Sequence, residues 1–368
     1  MNKNKYHNKL RKNVKQIIEN DGRTIKFLME NVQNRAIISL LFLPQMALYC
    51  REAQEFYNIT IIGKDTEEQI KDVRDGLKII CDKYNRMTNA FLKSDNEQDE
   101  KFRNELKFDF MKKWNIHYNL GVYFDKAGHL IGDTQLMNFF LNRVEMDGLE
   151  QQIVYRFGES LGKSVARILS MSKSRKNNGK RIALKEVPIG YIDLNTNVES
   201  HFFAKSENKG LNLLMLHMLG MLGADKYVFQ VLLQSKNTWR LRNEYITAHN
   251  IWSGLKRVKG HFEMESSDEL IDIKELGDTI ENGKCFFPSK FRNCMMHYNL
   301  VHENEPCIKE DCYGGDKVFL GLVESCFEGK DYLEYYSELR EYMSLIEHYL
   351  NRWFHIDFNK INWDLQTI

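Results

Sequence analysis

Only four prolines interrupt 368 residues, Pro44, Pro188, Pro288 and Pro306, so long stretches of backbone keep every amide donor that a helix needs. Within those stretches apolar side chains recur at alternating steps of three and four, the period of one helix face. In 65–92, Asp65 or Thr66 can cap the start, and Ile70, Val73, Leu77, Ile80, Tyr84, Met87 and Phe91 follow. A second stripe runs through Tyr332, Tyr335, Leu339, Tyr342, Ile346, Tyr349 and Trp353, and an aromatic stripe of that kind reads as core. Further helical stretches are expected at roughly 24–57, 134–172 and 210–248. The expected fold class is therefore all-α, a predominantly helical bundle.

Two regions break the pattern. "IHYNLGVYFDKAGHLIG" (116–132) alternates apolar and polar residues around Asp125-Lys126-Ala127-Gly128, which suits a short β-hairpin. The stretch 174–209 begins basic and then turns irregular or extended, as a connector would. The expected organisation is a helical N-terminal region 1–173 of unknown role, the connector 174–209, and a helical domain 210–368.

An apolar fraction of 43%, with 12% aromatics, can fill a substantial core. Lys plus Arg (52) nearly balances Asp plus Glu (51), so any attraction for a polyanion must come from local clusters. Seven cysteines, an odd count, and a charged start without an apolar signal core point to a reducing cytoplasm. The most apolar run, "AIISLLFLPQMALYC" (36–50), is shorter than a membrane span and reads as a buried helix kinked at Pro44, so no membrane association is expected.

Two stretches share an unusual polar pattern. "RLRNEYITAHN" (240–250) and "KFRNCMMHYNL" (290–300) each place an Arg-Asn pair shortly before a histidine. In the second, Pro288 and Ser289 make a natural helix start, and Asn293 and His297 lie on one face. Arg292 and His297 are about 140° apart around a regular helix, so they converge only near a frayed end or through the long arginine stem. In the first, Arg242 and His249 are two turns apart on the same face. Such a pairing suits phosphodiester chemistry on RNA. A histidine can take the proton of a 2′-hydroxyl or give one to the leaving 5′-oxygen, while arginine holds the phosphate. No metal or other cofactor is required, because the nucleophile belongs to the substrate. Bare Arg…His spacings are expected by chance in a chain with 11 histidines; Asn directly after Arg, twice, is not.

"RNCMMH" and "RNEYITAH" both resemble the Arg-x(4–6)-His signature of the HEPN superfamily of helical domains. The resemblance covers roughly 210–368. It implies a metal-independent endoribonuclease cleaving single-stranded or loop RNA, of the toxin, abortive-infection or CRISPR-associated kind, with a site composed at a dimer. It further implies that His297 and His249 act as acid or base, that Arg292 and Arg242 bind the scissile phosphate, and that Asn293 and Asn243 orient the imidazoles. A guide or antitoxin RNA is an implied partner beside the substrate. Lys173, Arg175, Lys176, Arg181, Arg240, Lys256, Arg257 and Lys259 are candidate phosphate contacts. The competing expectation is a non-catalytic RNA-binding or regulatory module, whose histidines are packed structurally. Two weaker signals are set aside. "GESLGKS" (158–164) is one residue short of a phosphate-binding loop and lies in a helical pattern, and Cys307 and Cys312, with Cys285, Cys294 and His302, space too loosely for a zinc site.

Overall fold

The computed structural model describes residues 3–31, 35–59, 63–114, 117–135, 150–171, 188–197, 208–265, 271–302 and 305–363. The chain is predominantly helical, as the spacing of its apolar residues predicts. In order come α1 (Lys3–Asn31), α2 (Arg35–Tyr57), α3 (Lys64–Lys78), α4 (Tyr84–Glu105), α5 (Asp109–Lys113), strands β1 (Leu120–Asp125) and β2 (Leu130–Asp133), α6 (Glu150–Ser170) and strand β3 (Ile189–Leu194). Then follow α7 (Lys209–Gly223), α8 (Thr238–Glu265), α9 (Ile271–Asn282), α10 (Ser289–Met296), the short strands β4 (Val301–His302) and β5 (Glu305–Pro306), α11 (Leu322–Cys326) and α12 (Tyr332–Asn351).

Helix α7 is the axis of the fold. From Gly210 to Gly223 every residue is buried, which is why its sequence, "KGLNLLMLHMLGMLG", carries apolar residues on all sides. It packs against α4, α12 and strand β2. A Cβ on Gly223 would lie 1.7 Å from the carbonyl oxygen of Leu130, so only glycine lets helix and sheet approach so closely here. The sheet itself is antiparallel in the order β2-β1-β3, and the hairpin turns at Gly128 with φ +86°. The hairpin expected at 116–132 is thus present. Its third strand, β3, comes from inside 174–209 and pairs with β1 from Leu120↔Leu194 to Asp125↔Ile189. One continuous apolar core runs from Tyr6 to Ile361.

The helix boundaries differ from expectation in three places. The stripe 65–92 is divided: α3 ends in a 3-10 turn at Ile79–Cys81, Asp82 and Lys83 are extended, and α4 begins at Tyr84. The turn is held against α8, where a Cβ on Gly254 would meet the Ile80 carbonyl at 2.4 Å. The stretch 210–248 breaks after a π-helical segment (Ala224–Phe229) and a last turn at Gln230–Leu232, and α8 restarts with the Asn237 side chain accepting the Arg240 amide at 3.0 Å. Finally, helix begins at Lys3 instead of near residue 24, and α1 buries Tyr6, Leu10, Val14, Ile17, Ile18, Ile25 and Leu28 along one face. No helix among the described residues is long and apolar enough to cross a membrane.

Candidate active site

Helix α8 is buried almost all round through its first half, from Trp239 to Ala248, so its polar residues are buried with it. Arg242 is 7% exposed, and its guanidinium points into the protein. Nη1 donates to the carbonyls of Cys294 (3.0 Å) and Met295 (2.7 Å), two of the unpaired acceptors at the C-terminal end of α10. Its Nε stands 3.6 Å from the Asp21 carboxylate, and the guanidinium carbon lies 4.2 Å from the Tyr298 ring centre. Asp21, fully buried in α1, also accepts from Thr238 (2.5 Å) and Tyr298 (2.6 Å). Burial pushes its carboxyl pKa up, and Arg242 with these hydrogen bonds opposes the shift. Arg242 therefore holds the C-terminal end of the helix that carries the second pair.

Helix α10 lies antiparallel on α8. Arg242 meets Cys294 and Met295, Tyr245 packs edge-on against Phe291 at 5.0 Å, and His249 packs on Phe287 at 5.5 Å. His249 and His297 thus sit at opposite ends of α10, an eight-residue helix about 12 Å long. His249 is half-buried beside Tyr245, Trp252 and Phe287. Burial lowers its pKa, a hydrogen bond with Asn250 opposes this, and the nearby Arg292 charge lowers it further. Asn243 is 2% exposed, and its Nδ2 has no hydrogen-bond partner among the described residues.

The second stretch faces outward. His297 is the residue after the last helical one, extended at φ −126°, ψ 149°, with its amide donating to the Asn293 carbonyl at 3.0 Å. Leaving the helix turns the ring away from the 140° position and onto a cleft. Its Nδ1 lies 2.8 Å from Oε2 of Glu52, and an ionised carboxylate only accepts, so Nδ1 carries the proton. That leaves Nε2 for proton exchange. The Glu52 side chain is nine-tenths buried while the His297 ring is 57% exposed, so a fixed carboxylate holds an accessible imidazole. The hydrogen bond to Glu52 raises the His297 pKa above its ordinary value; burial and Lys78 oppose this, and Glu55 adds to it.

The cleft in front of His297 has a volume of about 690 Å³ and is walled by α1, α2 and α10, with the loop that follows α10 closing one side. That size suits a small organic ligand or a nucleotide-sized fragment. Asn293 lines it, and Arg292, exposed beside it, donates from Nη2 to Asn293 Oδ1 at 3.1 Å. From there a strip of polar and aromatic groups runs along α8: Arg292 stands near His249, His249 lies 6.0 Å from Trp252, and the Lys256 ammonium lies 5.5 Å from the Trp252 ring.

The other basic candidates divide. Lys256 and Arg257 are exposed, while Lys259 is tied to Glu263 and Glu281. Arg240 is buried, with Nε on Glu244 (2.6 Å) and Nη1 on the Leu233 carbonyl (2.9 Å), which removes it from any surface contact. Lys173, Arg175, Lys176 and Arg181 lie outside the described residues. Glu52, His7 and Arg11 line the cleft without having been singled out in the sequence. The buried stripe of α1 would have placed His7 and Arg11 on one helix face, but nothing near Glu52 announces a partner 245 positions away.

No family model, no curated protein and no solved structure matches this chain.

Proposed function

We propose that the protein is a metal-independent endoribonuclease of HEPN type, acting on single-stranded or loop RNA. The observation that carries this reading is the His297–Glu52 pair at the mouth of a nucleotide-sized cleft, with Asn293 and Arg292 beside it. Glu52 fixes the ring and favours its protonated form, which fits His297 to give a proton from Nε2 to the leaving 5′-oxygen. Arg292, exposed next to the cleft, is free to turn its guanidinium from Asn293 to a phosphate oxygen. The strip from Arg292 over His249 and Trp252 to Lys256 offers alternating charge and ring faces to a flanking strand, the arrangement that binds single-stranded nucleic acid. Assembly into homodimers, recognition of a guide or antitoxin RNA, and a role in antiphage defence belong to the same HEPN reading.

A second reading, a regulatory module that binds RNA without cutting it, draws on the internal position of Arg242 and the aromatic packing of His249. The two readings part on one comparison. His297→Ala should lower cleavage by about 10²–10⁴-fold while leaving RNA affinity within a few-fold, whereas Arg292→Ala should impair both. Firm RNA binding without turnover in the wild-type protein would favour the regulatory module.

A further inference from the structure

One imidazole transfers one proton well, but in-line attack by a 2′-hydroxyl needs a base as well as an acid. His249, at the far end of α10, does not line the His297 cleft. The side of the cleft formed by α1 does carry a second imidazole. His7 and Arg11 are four residues apart and so share one face of α1, and both line the same cleft as His297 and Asn293. Their helix is anchored on both sides of them. Tyr6 donates to the Ile308 carbonyl at 2.9 Å, Asn13 donates to the Tyr313 hydroxyl at 2.7 Å, and Asp21 is held by Thr238 and Tyr298. This wall of the cleft is therefore set in place by the segment that follows His297.

Two features of that wall bear on a ligand. His7 lines the cleft, and its Nε2, closed to solvent in this structure, has no hydrogen-bond partner among the described residues, so a turn of the ring toward the cleft would give that nitrogen a partner in a bound ligand. Arg11 is exposed and has no ion-pair partner among the described residues. The other titratable groups on the cleft are Glu52, engaged with His297, exposed Glu55 on α2, Tyr298, whose hydroxyl donates to Asp21, His302, and the thiols of Cys294 and Cys307. Arg11 is the one arginine or lysine lining it among the described residues.

Resting on the ribonuclease reading of this cleft, we propose that α1 supplies the other half of the site, with Arg11 holding the scissile phosphate and His7 acting as base opposite His297. The step balances without a co-reactant. The 2′-hydroxyl proton passes to His7, the bond from the 2′-oxygen to phosphorus forms, the bond from phosphorus to the 5′-oxygen breaks, and the proton of His297 goes to that oxygen. The products are a 2′,3′-cyclic phosphate and a 5′-hydroxyl, and solvent restores both rings.

The test compares full-length wild type, His7→Asn, Arg11→Ala, Arg11→Lys and His297→Ala on a cleavable RNA, and on the same RNA with 2′-O-methyl groups as a binding probe. Folding is checked by thermal melting. His7→Asn should lower kcat by about 10²-fold or more and abolish the acidic limb of the pH–rate profile, with affinity for the blocked RNA little changed. Arg11→Ala should weaken that affinity by roughly tenfold and flatten its salt dependence, and Arg11→Lys should recover part of it. If His297→Ala is inactive while His7→Asn and Arg11→Ala both cleave and bind within twofold of wild type, this proposal fails and the ribonuclease reading stands. If the wild-type protein neither cleaves nor binds RNA, both fail together. Binding that depends on Arg11 without any cleavage would overturn the role of His7 as base.

Discussion

At the scale of single residues, the site turns on which face of its helix each arginine and histidine takes. Arg242 and Arg292 stand in nearly the same local sequence, yet one guanidinium ends on backbone carbonyls inside the protein and the other at the surface. Between Glu52 and His297 the consequence is a proton affinity. Glu52 raises the His297 pKa, so the pair's contribution to stability is fully present below the unfolded-state value near 6.5 and is lost as pH rises through the higher folded-state value. Glu52→Gln should therefore lower the His297 pKa in a proton NMR titration. The melting-temperature gap between Glu52→Gln and wild type should be wider at pH 5.5 than at pH 8.5. In the same variant the alkaline limb of the pH–rate profile should move to lower pH. A gap that widens with pH would show that the carboxylate does not stabilise the imidazolium.

At the scale of elements, α8 and α10 work as a pair in which the buried helix fixes the exposed one. Arg242→Ala removes the donor to the Cys294 and Met295 carbonyls and leaves Asp21 buried beside no cation. It should cost about 3–5 kcal/mol in urea denaturation, and activity should fall because His297 loses its support. Arg242→Lys should recover only part of that stability, since an ammonium cannot reproduce the two-carbonyl grip together with the stacking on Tyr298. A stability within 1 kcal/mol of wild type in Arg242→Ala would overturn this account. Much of the helical architecture was legible in the sequence. The stripe from Tyr332 through Ile346 is buried in α12, and the start of α10 falls at Pro288-Ser289 as its residues suggest. The breaks at 79–83 and 233–237 were not legible, because the apolar period continues across them and the turns are set by contacts with α8 and by capping. Nor could spacing separate Arg242 from Arg292. What separates them is burial of the whole segment: every residue from Trp239 to Ala248 is buried, the polar Arg240, Asn243, Glu244 and Thr247 included, whereas Arg292 lies on the exposed face of α10.

At the scale of the whole molecule, the cleft is the place where the N-terminal helices meet the segment 293–307. α1 and α2 come from the N-terminal region whose role the sequence left open, and α10 from the region that carries the HEPN resemblance. The same apolar core underlies both, so the N-terminal helices are walls of the site as well as supports for the fold. Glu52 and His297 face each other within one chain, which makes the imidazole and the carboxylate that tunes it independent of any second protomer. The central claim is that this cleft cuts RNA using imidazoles and the substrate's own 2′-hydroxyl. Its most direct test is end-group analysis of RNA incubated with the pure protein in excess EDTA, beside DNA of the same sequence and beside His297→Ala. Fragments ending in a 2′,3′-cyclic phosphate from RNA alone, absent with His297→Ala, are the predicted result; cleavage that requires added magnesium or manganese, or that leaves 3′-hydroxyl ends, would contradict it.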